Sequence, residues 1–537
     1  MSNGSAALER GTSRGRPPHP RGTALPWPAY TMLGTLLLLS GAVLVATGKP
    51  ALAGLPPVLA CAIYLLGRLP LRYPLYAFTG IWIASDMLPR PLSLEGGATW
   101  KTPLYPINAF LGSNLDSLFG VSLLRFSGTE ALIGLMLVIM GVRWLSGSTI
   151  DGVGRVAMPR VLQSVLVVAF LTIVGMELRG LASGGDFRQS LWQFRQLLWL
   201  PVITLLFARV LRGPRDLAPV GWALTIGTVV KISIGLYYLH YVASPLGLTV
   251  DVMTCHEDSV LFVTVLMLWL VACAHAPSTK RVAATMFVCT YVLVGIAAND
   301  RRLAYVSLAG SLALFYVLLR GRVRRRITLI LLCALPVVAL YLVAGRNRST
   351  GIFKPASLIL SVVQQKDGSS KTRDIENFNL LQTLKPHQLI GSGWGHEYDE
   401  QVKADDISTL FPQYRYIAHN SVLWLWSIGG LVGFTLLWLP LVVSVFLARR
   451  GYAFARSSME RTVAITALVV MVCFVNQAWG DMGTQGQTCI ILLAWAIAGA
   501  GNLAVVTGAF PMDITLWGNR RIGATPTARL QGARGAP

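Results

Sequence analysis

Residues 487–507 read QTCIILLAWAIAGAGNLAVVT, an apolar run without a single charged side chain. A helix that crosses a bilayer needs about 20 mostly apolar residues, because in hydrocarbon every backbone N–H and C=O must be paired within the segment. The run meets that requirement, and working back along the chain about thirteen more like it appear. They centre on 29–47, 52–67, 73–88, 130–146, 160–178, 190–210, 219–239, 258–276, 282–299, 303–320, 327–344, 418–447 and 462–480. The runs 52–67 and 73–88 are short and contain or abut prolines, so the expected count is twelve to fourteen spans. The first run follows a basic segment holding Arg10, Arg14, Arg16 and Arg21 and is too long for a signal peptide, so it is read as an uncleaved first span.

Composition points the same way. Of 537 residues, 54% are hydrophobic and only 13% charged, whereas soluble domains carry roughly 25% charged residues. Mean hydropathy is +0.57. The expected fold class is an all-α polytopic integral membrane protein. Seven cysteines without a C-x-x-C pair, six of them inside apolar runs, exclude a disulfide scaffold and a zinc ribbon.

The net charge of +22 raises the question of nucleic acid. Short cytoplasmic loops carry an excess of Lys and Arg. With the N-terminus inside and the spans alternating, the cytoplasmic segments hold about 27 of the 46 basic residues, including Arg320, Arg322, Arg324, Arg325 and Arg326, but only about 5 of the 24 acids. The charge is therefore topological, and no nucleic-acid partner is needed to explain it. Both termini are expected to be cytoplasmic. The resulting organisation is a basic tail over 1–28, a helix bundle over 29–344, an outward loop over 345–417, C-terminal spans over 418–507 and a second tail over 508–537. The outermost stretches, 1–24 and 520–537, are rich in Arg, Gly, Pro and Ala, read as disordered, and suit contact with anionic lipid.

Two outward segments are long, 89–129 and 345–417. Inward connections are short and basic and hold no P-loop, which argues against an ATP-driven pump. No repeat of one half in the other is visible, which disfavours a repeat-built transporter. In Thr372 to Lys385, Ile375, Phe378, Leu381 and Leu384 recur at helical spacing, predicting an amphipathic helix suited to the membrane surface, ended by Pro386. Gly391-Ser392-Gly393-Trp394-Gly395 follows, a turn-rich stretch whose glycines allow close backbone approach. It lacks the strand and helix context of a dinucleotide site, and His396-Glu397-Tyr398-Asp399-Glu400 lacks the second histidine of a zinc protease.

His419 and Asn420 open the span at 418–447. The positive end of a helix dipole disfavours imidazolium, so His419 is expected to be neutral, the form a general base requires. The plainer alternative is that His419 and Asn420 only cap the helix. Arginines make a second constellation: Arg195 inside the sixth span, Arg301 and Arg302 at the outward end of the tenth, and Arg179, Arg188, Arg373 and Arg415 in outward loops. Guanidinium binds phosphate through paired hydrogen bonds, so converging arginines suit a pyrophosphate; the alternative for any one of them is snorkelling to the interface. His256, Glu257 and Asp258 contain metal-ligating types, but three consecutive residues do not easily face one ion. Lys231, mid-span, suits either a substrate contact or a pair with a neighbouring acid.

The order Leu191-Trp192-Gln193-Phe194-Arg195, Asn299-Asp300-Arg301-Arg302, Lys371-Thr372-Arg373-Asp374-Ile375, Leu389-Ile390-Gly391-Ser392-Gly393-Trp394-Gly395 and Ala418-His419-Asn420-Ser421-Val422-Leu423 resembles the bacterial O-antigen ligase and polymerase superfamily. The resemblance covers roughly residues 130–480, and H-N-x-x-L after a G-x-G-containing periplasmic loop is its most specific part. It implies a GT-C-like helical architecture in the bacterial inner membrane, with a periplasmic active site serving O-antigen, exopolysaccharide or capsule assembly. The implied reaction is metal-independent glycosyl transfer without a cofactor, from an undecaprenyl-pyrophosphate-linked glycan to a glycan, lipid or protein acceptor, beside other polysaccharide-assembly proteins and membrane lipids. His419 is the implied base, Arg195, Arg301 or Arg302 stabilises the departing pyrophosphate, and Arg373, Arg415, Asn420 and His256 are candidate substrate-binding positions. Where the family commonly shows Ser-Arg the chain has Arg301-Arg302, which leaves open which arginine acts; where it often shows Pro-Asn the chain has Cys255-His256. Polymerase is slightly favoured over ligase. A lipid-linked oligosaccharide flippase is the rival from another class, but it has no need of a loop of about 70 residues on one face. A structural scaffold leaves the one-sided Arg, His and Asn cluster unexplained.

Overall fold

A computed structural model describes residues 27–48, 53–86, 92–93, 99–100, 102–121, 125–148, 150–151, 158–248, 250, 253–319, 321–346, 353–364, 368–403, 406, 408 and 411–513. The terminal tails, with Arg10, Arg14, Arg16 and Arg21, lie outside the described residues. The chain divides into two compact units, Met1–Leu65 and Leu66–Pro537. The first holds α1 (Trp27–Thr47) and most of α2 (Leu55–Arg68).

The second unit continues with α3 (Arg72–Ser85), a two-residue hairpin of β1 (Leu92–Ser93) and β2 (Thr99–Trp100), α4 (Tyr105–Gly112), α5 (Leu115–Phe119), α6 (Gly128–Leu145), α7 (Arg160–Ala182) and α8 (Phe187–Val210). Then follow α9 (Leu217–Tyr237), α10 (Asp258–His275), α11 (Thr279–Asn299), α12 (Arg302–Leu318), α13 (Gly321–Gly345), α14 (Lys354–Gln364), α15 (Gly368–Leu384), α16 (Ser421–Phe454), α17 (Ser458–Gly480) and α18 (Gln487–Val506). Each of the fourteen apolar runs is helical over most of its described residues. Ten helices among the described residues are long and apolar enough to cross a membrane, and the apolar segments Thr31–Val45, Pro56–Arg68 and Arg302–Leu318 are shorter. The fold is that of a polytopic helical membrane protein.

Local sequence sets several helix ends. Ser127 and Glu130 form a capping box at the start of α6, Ser457 and Glu460 form another at α17, and Asp186 accepts from the Arg188 and Gln189 amides at α8. The interior is centred on α18, buried on all sides from Thr488 to Ala504 and packed against α8, α16 and α17. Its many Ala and Gly residues permit that approach, as small residues do where lipid supplies no hydrophobic drive between helices. Trp495 stacks on Phe207 with ring centroids 3.8 Å apart and donates its indole N–H to Thr79 at 3.0 Å, so its polar tip is satisfied. Lys231 and Asp258, both fully buried, meet at 2.6 Å. That resolves the role of Lys231 in favour of pairing within the bundle.

α16 is broken at Gly430, whose φ of +61° and ψ of −173° no helix contains. The groups the break frees are taken up by the loop after α15: Gly393 N–H donates to Ile428 O at 2.9 Å, Leu431 N–H to Gln388 O at 2.8 Å and Val432 N–H to Leu389 O at 3.1 Å. Irregular backbone at this depth survives because protein, not lipid, satisfies it. The fit is tight, since a Cβ on Gly391 would stand 1.9 Å from the Ile428 carbonyl oxygen.

Candidate active site

The Gly391–Gly395 loop is wedged among α7, α8 and α16. Trp394 is fully buried, donates to Ile173 O at 3.0 Å and lies against Trp424 and Phe194. Gln193 on α8 secures it from the other side, accepting from Gly395 N–H and donating to His396 O at 3.1 Å and to Tyr416 O at 2.6 Å. This anchoring delivers the chain to His419 at the mouth of α16.

α15 begins earlier than the expected Thr372. Glu376, Asn379, Leu380, Thr383 and Leu384 are buried, and Phe378 and Leu381 of the expected apolar face are exposed. The buried polar groups find partners in protein. Asn379 clamps Val402 through both backbone groups, at 2.8 and 2.9 Å. Glu376, its side chain 6% exposed, accepts from the His419 backbone N–H at 3.0 Å and stands 3.1 Å from His419 Nδ1. The hydrogen bond from Glu376 raises the imidazole pKa above its ordinary value; burial and the Arg373 charge work against it, and Asp481 adds to the rise. The expectation that the helix dipole leaves a plainly neutral ring is thus countered by a buried carboxylate.

Asp481, between α17 and α18, binds the second histidine: His256 Nδ1 lies 2.7 Å from its Oδ2. Burial alone would raise this carboxyl, but the His256 hydrogen bond and charge, the Met482 amide and Arg373 hold it below the usual carboxylate range. Its carbonyl accepts from Ser421 Oγ at 3.4 Å, two residues beyond His419. The His256 loop is fastened in turn to the α11–α12 turn, where Asn299 accepts from Thr254 N–H at 3.0 Å and donates to Cys255 O at 2.9 Å. That turn passes through Asp300 at φ +54°, paired with Lys354 at 2.6 Å, into Arg301 and Arg302. Four segments therefore converge: α15 with Arg373 and Glu376, the head of α16 with His419 and Asn420, the α17–α18 turn with Asp481, and the His256 loop tied to the Arg301-Arg302 turn. Asn420 both caps α16, accepting from Leu423 N–H at 3.1 Å, and keeps a buried Nδ2 with no hydrogen-bond partner among the described residues.

Residues 285–438 match the model of the family described as O-antigen ligase. Over that stretch, 154 of the chain's 537 residues, the chain is similar to the O-antigen ligase family. No curated protein matches the chain. The O-antigen ligase match takes in Arg301, Arg302, Arg373, Arg415, His419 and Asn420 and stops short of Arg195 and His256.

Arg195, outside the matched stretch, occupies different surroundings. Its guanidinium is gripped by Glu130 and reaches Asn114 Oδ1 at 3.1 Å, while Trp199 Nε1 donates to the same carboxylate at 3.0 Å. Two residues apart on a helix is about half a turn, so Arg195 faces away from Gln193 and the Gly391–Gly395 loop. It lines a cavity of about 430 Å³ with Arg125 and Arg188. Arg415 is held at φ +73° and pairs with Glu397 at 2.9 Å. The His256-Glu257-Asp258 run divides its tasks: His256 goes to Asp481, Asp258 to Lys231, and burial, with Asp86 and Asp258 adding, pushes Glu257 well above the carboxylate range. Among the described residues no three His, Cys, Asp or Glu side chains gather as a metal site.

Glu376 and Asp481 are the functional candidates that sequence reading missed. Glu376 had a signal, an acid one turn after Arg373 on a helix immediately before the Gly-rich loop. Asp481, just past an apolar span, reads as an ordinary helix end.

Proposed function

We propose that the protein transfers a glycan from a polyprenyl-pyrophosphate donor to an acceptor hydroxyl on the periplasmic face of the bacterial inner membrane. The observation that carries the reading is the Glu376–His419 pair. With Nδ1–H donated to Glu376, the other ring nitrogen, Nε2, is left as an acceptor, and the nearby carboxylate makes it a stronger base than a free imidazole. His419 Nε2 takes the proton of the acceptor hydroxyl as its oxygen bonds to the anomeric carbon; the bond from that carbon to the pyrophosphate oxygen breaks, and the electron pair leaves with the lipid pyrophosphate. A positioned base of this kind contributes about 10² to 10⁴ in rate. Arg301, Arg302 and Arg373 supply positive charge where the leaving group develops negative charge, His256 is a polar contact beside them, and the free Asn420 Nδ2 offers a neutral donor to a sugar or phosphate oxygen. Arg195 acts from the neighbouring cavity, its charge largely committed to Glu130.

The test is the length distribution of surface and lipid-linked glycan in a deletion strain complemented with wild type, His419→Ala or Glu376→Gln, with membrane abundance of each variant measured. Single lipid-linked repeat units in the His419→Ala strain identify a polymerase. Full-length lipid-linked glycan that never reaches its acceptor identifies a ligase. Normal glycan from an abundant His419→Ala protein ends the catalytic reading.

A further inference from the structure

A second cavity, of about 310 Å³, lies at the end of the bundle opposite His419. α17 begins at this end with Ser458 and reaches Asp481 of the candidate site at the other. The cavity runs beside α17 from Ser458 at its mouth to Val470, about 18 Å at 1.5 Å per residue. One leaflet's hydrocarbon is about 15 Å deep, half of the bilayer's roughly 30 Å. α9 and α10 wall one side and α17 and α18 the other, while α11 contributes Arg281, among the described residues the one charged side chain in the lining. Thr225 and Thr462 turn their hydroxyls to carbonyls of their own helices, at 2.8 and 2.9 Å, and the Thr264 and Thr466 oxygens are covered by protein. A buried water needs several polar partners, which such a wall does not offer. Trp222 stands exposed on the flank, edge to face with Trp269 at 5.5 Å between ring centroids. The mouth is basic: Arg281 spends one N–H on Ala276 O at 2.6 Å, and Arg215, Lys280 and Arg461 stand exposed on the same helix starts. The acids nearest to them in sequence are committed, Asp216 accepting from Arg212 N–H at 2.7 Å and Glu460 from the Arg456 and Ser457 N–H groups.

We infer that this cavity holds one acyl chain of an anionic phospholipid, with its phosphate at Arg281, in the leaflet opposite the candidate active site. The distribution of polarity decides the occupant: the site is apolar for the depth of a leaflet and positively charged where a headgroup lies. Charge at the mouth favours an anionic over a zwitterionic head. An unfilled apolar space forfeits the contacts its walls would make, and a chain restores them while tying α9 to α17 and α18. A donor whose pyrophosphate lies at His419 has its head at the other end of the bundle, so this site is separate from the reaction and does not depend on it.

In the experiment, full-length protein in mild detergent, stripped of lipid, is titrated with dioleoyl phosphatidylglycerol, dioleoyl phosphatidylethanolamine, undecaprenyl phosphate or inorganic phosphate. Bound mass is read by native mass spectrometry and melting temperature by intrinsic fluorescence. The expected result is a single phosphatidylglycerol held about tenfold more tightly than phosphatidylethanolamine, with a rise in melting temperature that inorganic phosphate does not reproduce. Arg281→Gln should abolish that preference. Ala496→Leu, which places a larger side chain in the cavity, should weaken both phospholipids about tenfold or more without lowering the lipid-free melting temperature. Arg449→Gln, an exposed arginine of α16 at the same end but outside the lining, should change nothing. No tightly held lipid, or equal binding by all variants, overturns the assignment, as does stronger stabilisation by undecaprenyl phosphate or by inorganic phosphate than by phosphatidylglycerol. If Ala496→Leu proves unstable, phosphatidylglycerol with a diazirine in its acyl chain decides on the wild type: crosslinks within 217–225 or 458–470 sustain the cavity, and crosslinks only elsewhere overturn it.

Discussion

The Glu376 carboxylate engages His419 twice, accepting its backbone N–H at 3.0 Å and standing 3.1 Å from its ring Nδ1. One buried side chain thereby sets the position of the residue and the tautomer and basicity of its ring. Because the neutral imidazole is the working form, activity rises with pH through the His419 pKa. That limb of the kcat/KM profile is expected above the ordinary histidine value of about 6.5, and Glu376→Gln is expected to move it down toward 6.5 while lowering the plateau by about tenfold or more. The same raised pKa makes the pair's contribution to stability full below about pH 6.5 and lost as pH rises through the folded value. In Glu376→Gln that pH dependence of the melting temperature should vanish.

His256 and Asp481 act as a unit, so removing either should cost about as much as removing both. Donor turnover of His256→Ala, Asp481→Asn and the double variant tests this: a double variant whose loss equals the product of the single losses would show two independent residues. Since the folded Asp481 pKa is depressed, its stabilising contribution is present above about pH 3.9 and is lost as pH falls through the folded value.

Arg195→Ala is expected to unfold or deplete the protein, because it strands Glu130, whose side chain is 10% exposed, without its cation. The expected cost is roughly 3 kcal/mol, and Arg195→Met with Glu130→Leu should restore membrane abundance. Glycan assembly by the restored double variant would assign Arg195 a structural role only; an abundant but inactive double variant would assign it to the reaction.

Gly391→Ala should lower the melting temperature by several degrees and reduce activity together, since the new Cβ displaces the loop that closes the α16 break. Gly175→Ala, with open space around the added carbon, should leave both unchanged.

What the sequence determined by itself is the membrane frame. Bilayer thickness imposes a length and hydrogen bonding imposes helices, so each apolar run became a helix within a few residues, and the short runs 52–67 and 73–88 became 14-residue helices. Capping by Asn420 and the breaks around Gly391–Gly395 were local chemistry, and so were legible. The order of motifs leading to H-N-x-x-L was sufficient to indicate the family. What only the tertiary structure decided is who meets whom. Glu376 reaches His419 across 43 residues, Arg195 meets Glu130 across 65, and His256 meets Asp481 across 225. The burial of Glu376 on the protein-facing side of α15 follows the same logic. Hydrophobic periodicity places a side chain on a face of its own helix, but which face meets which neighbour depends on helix packing, where buried charges must find one another because hydrocarbon and protein interior leave an unpaired charge no solvent.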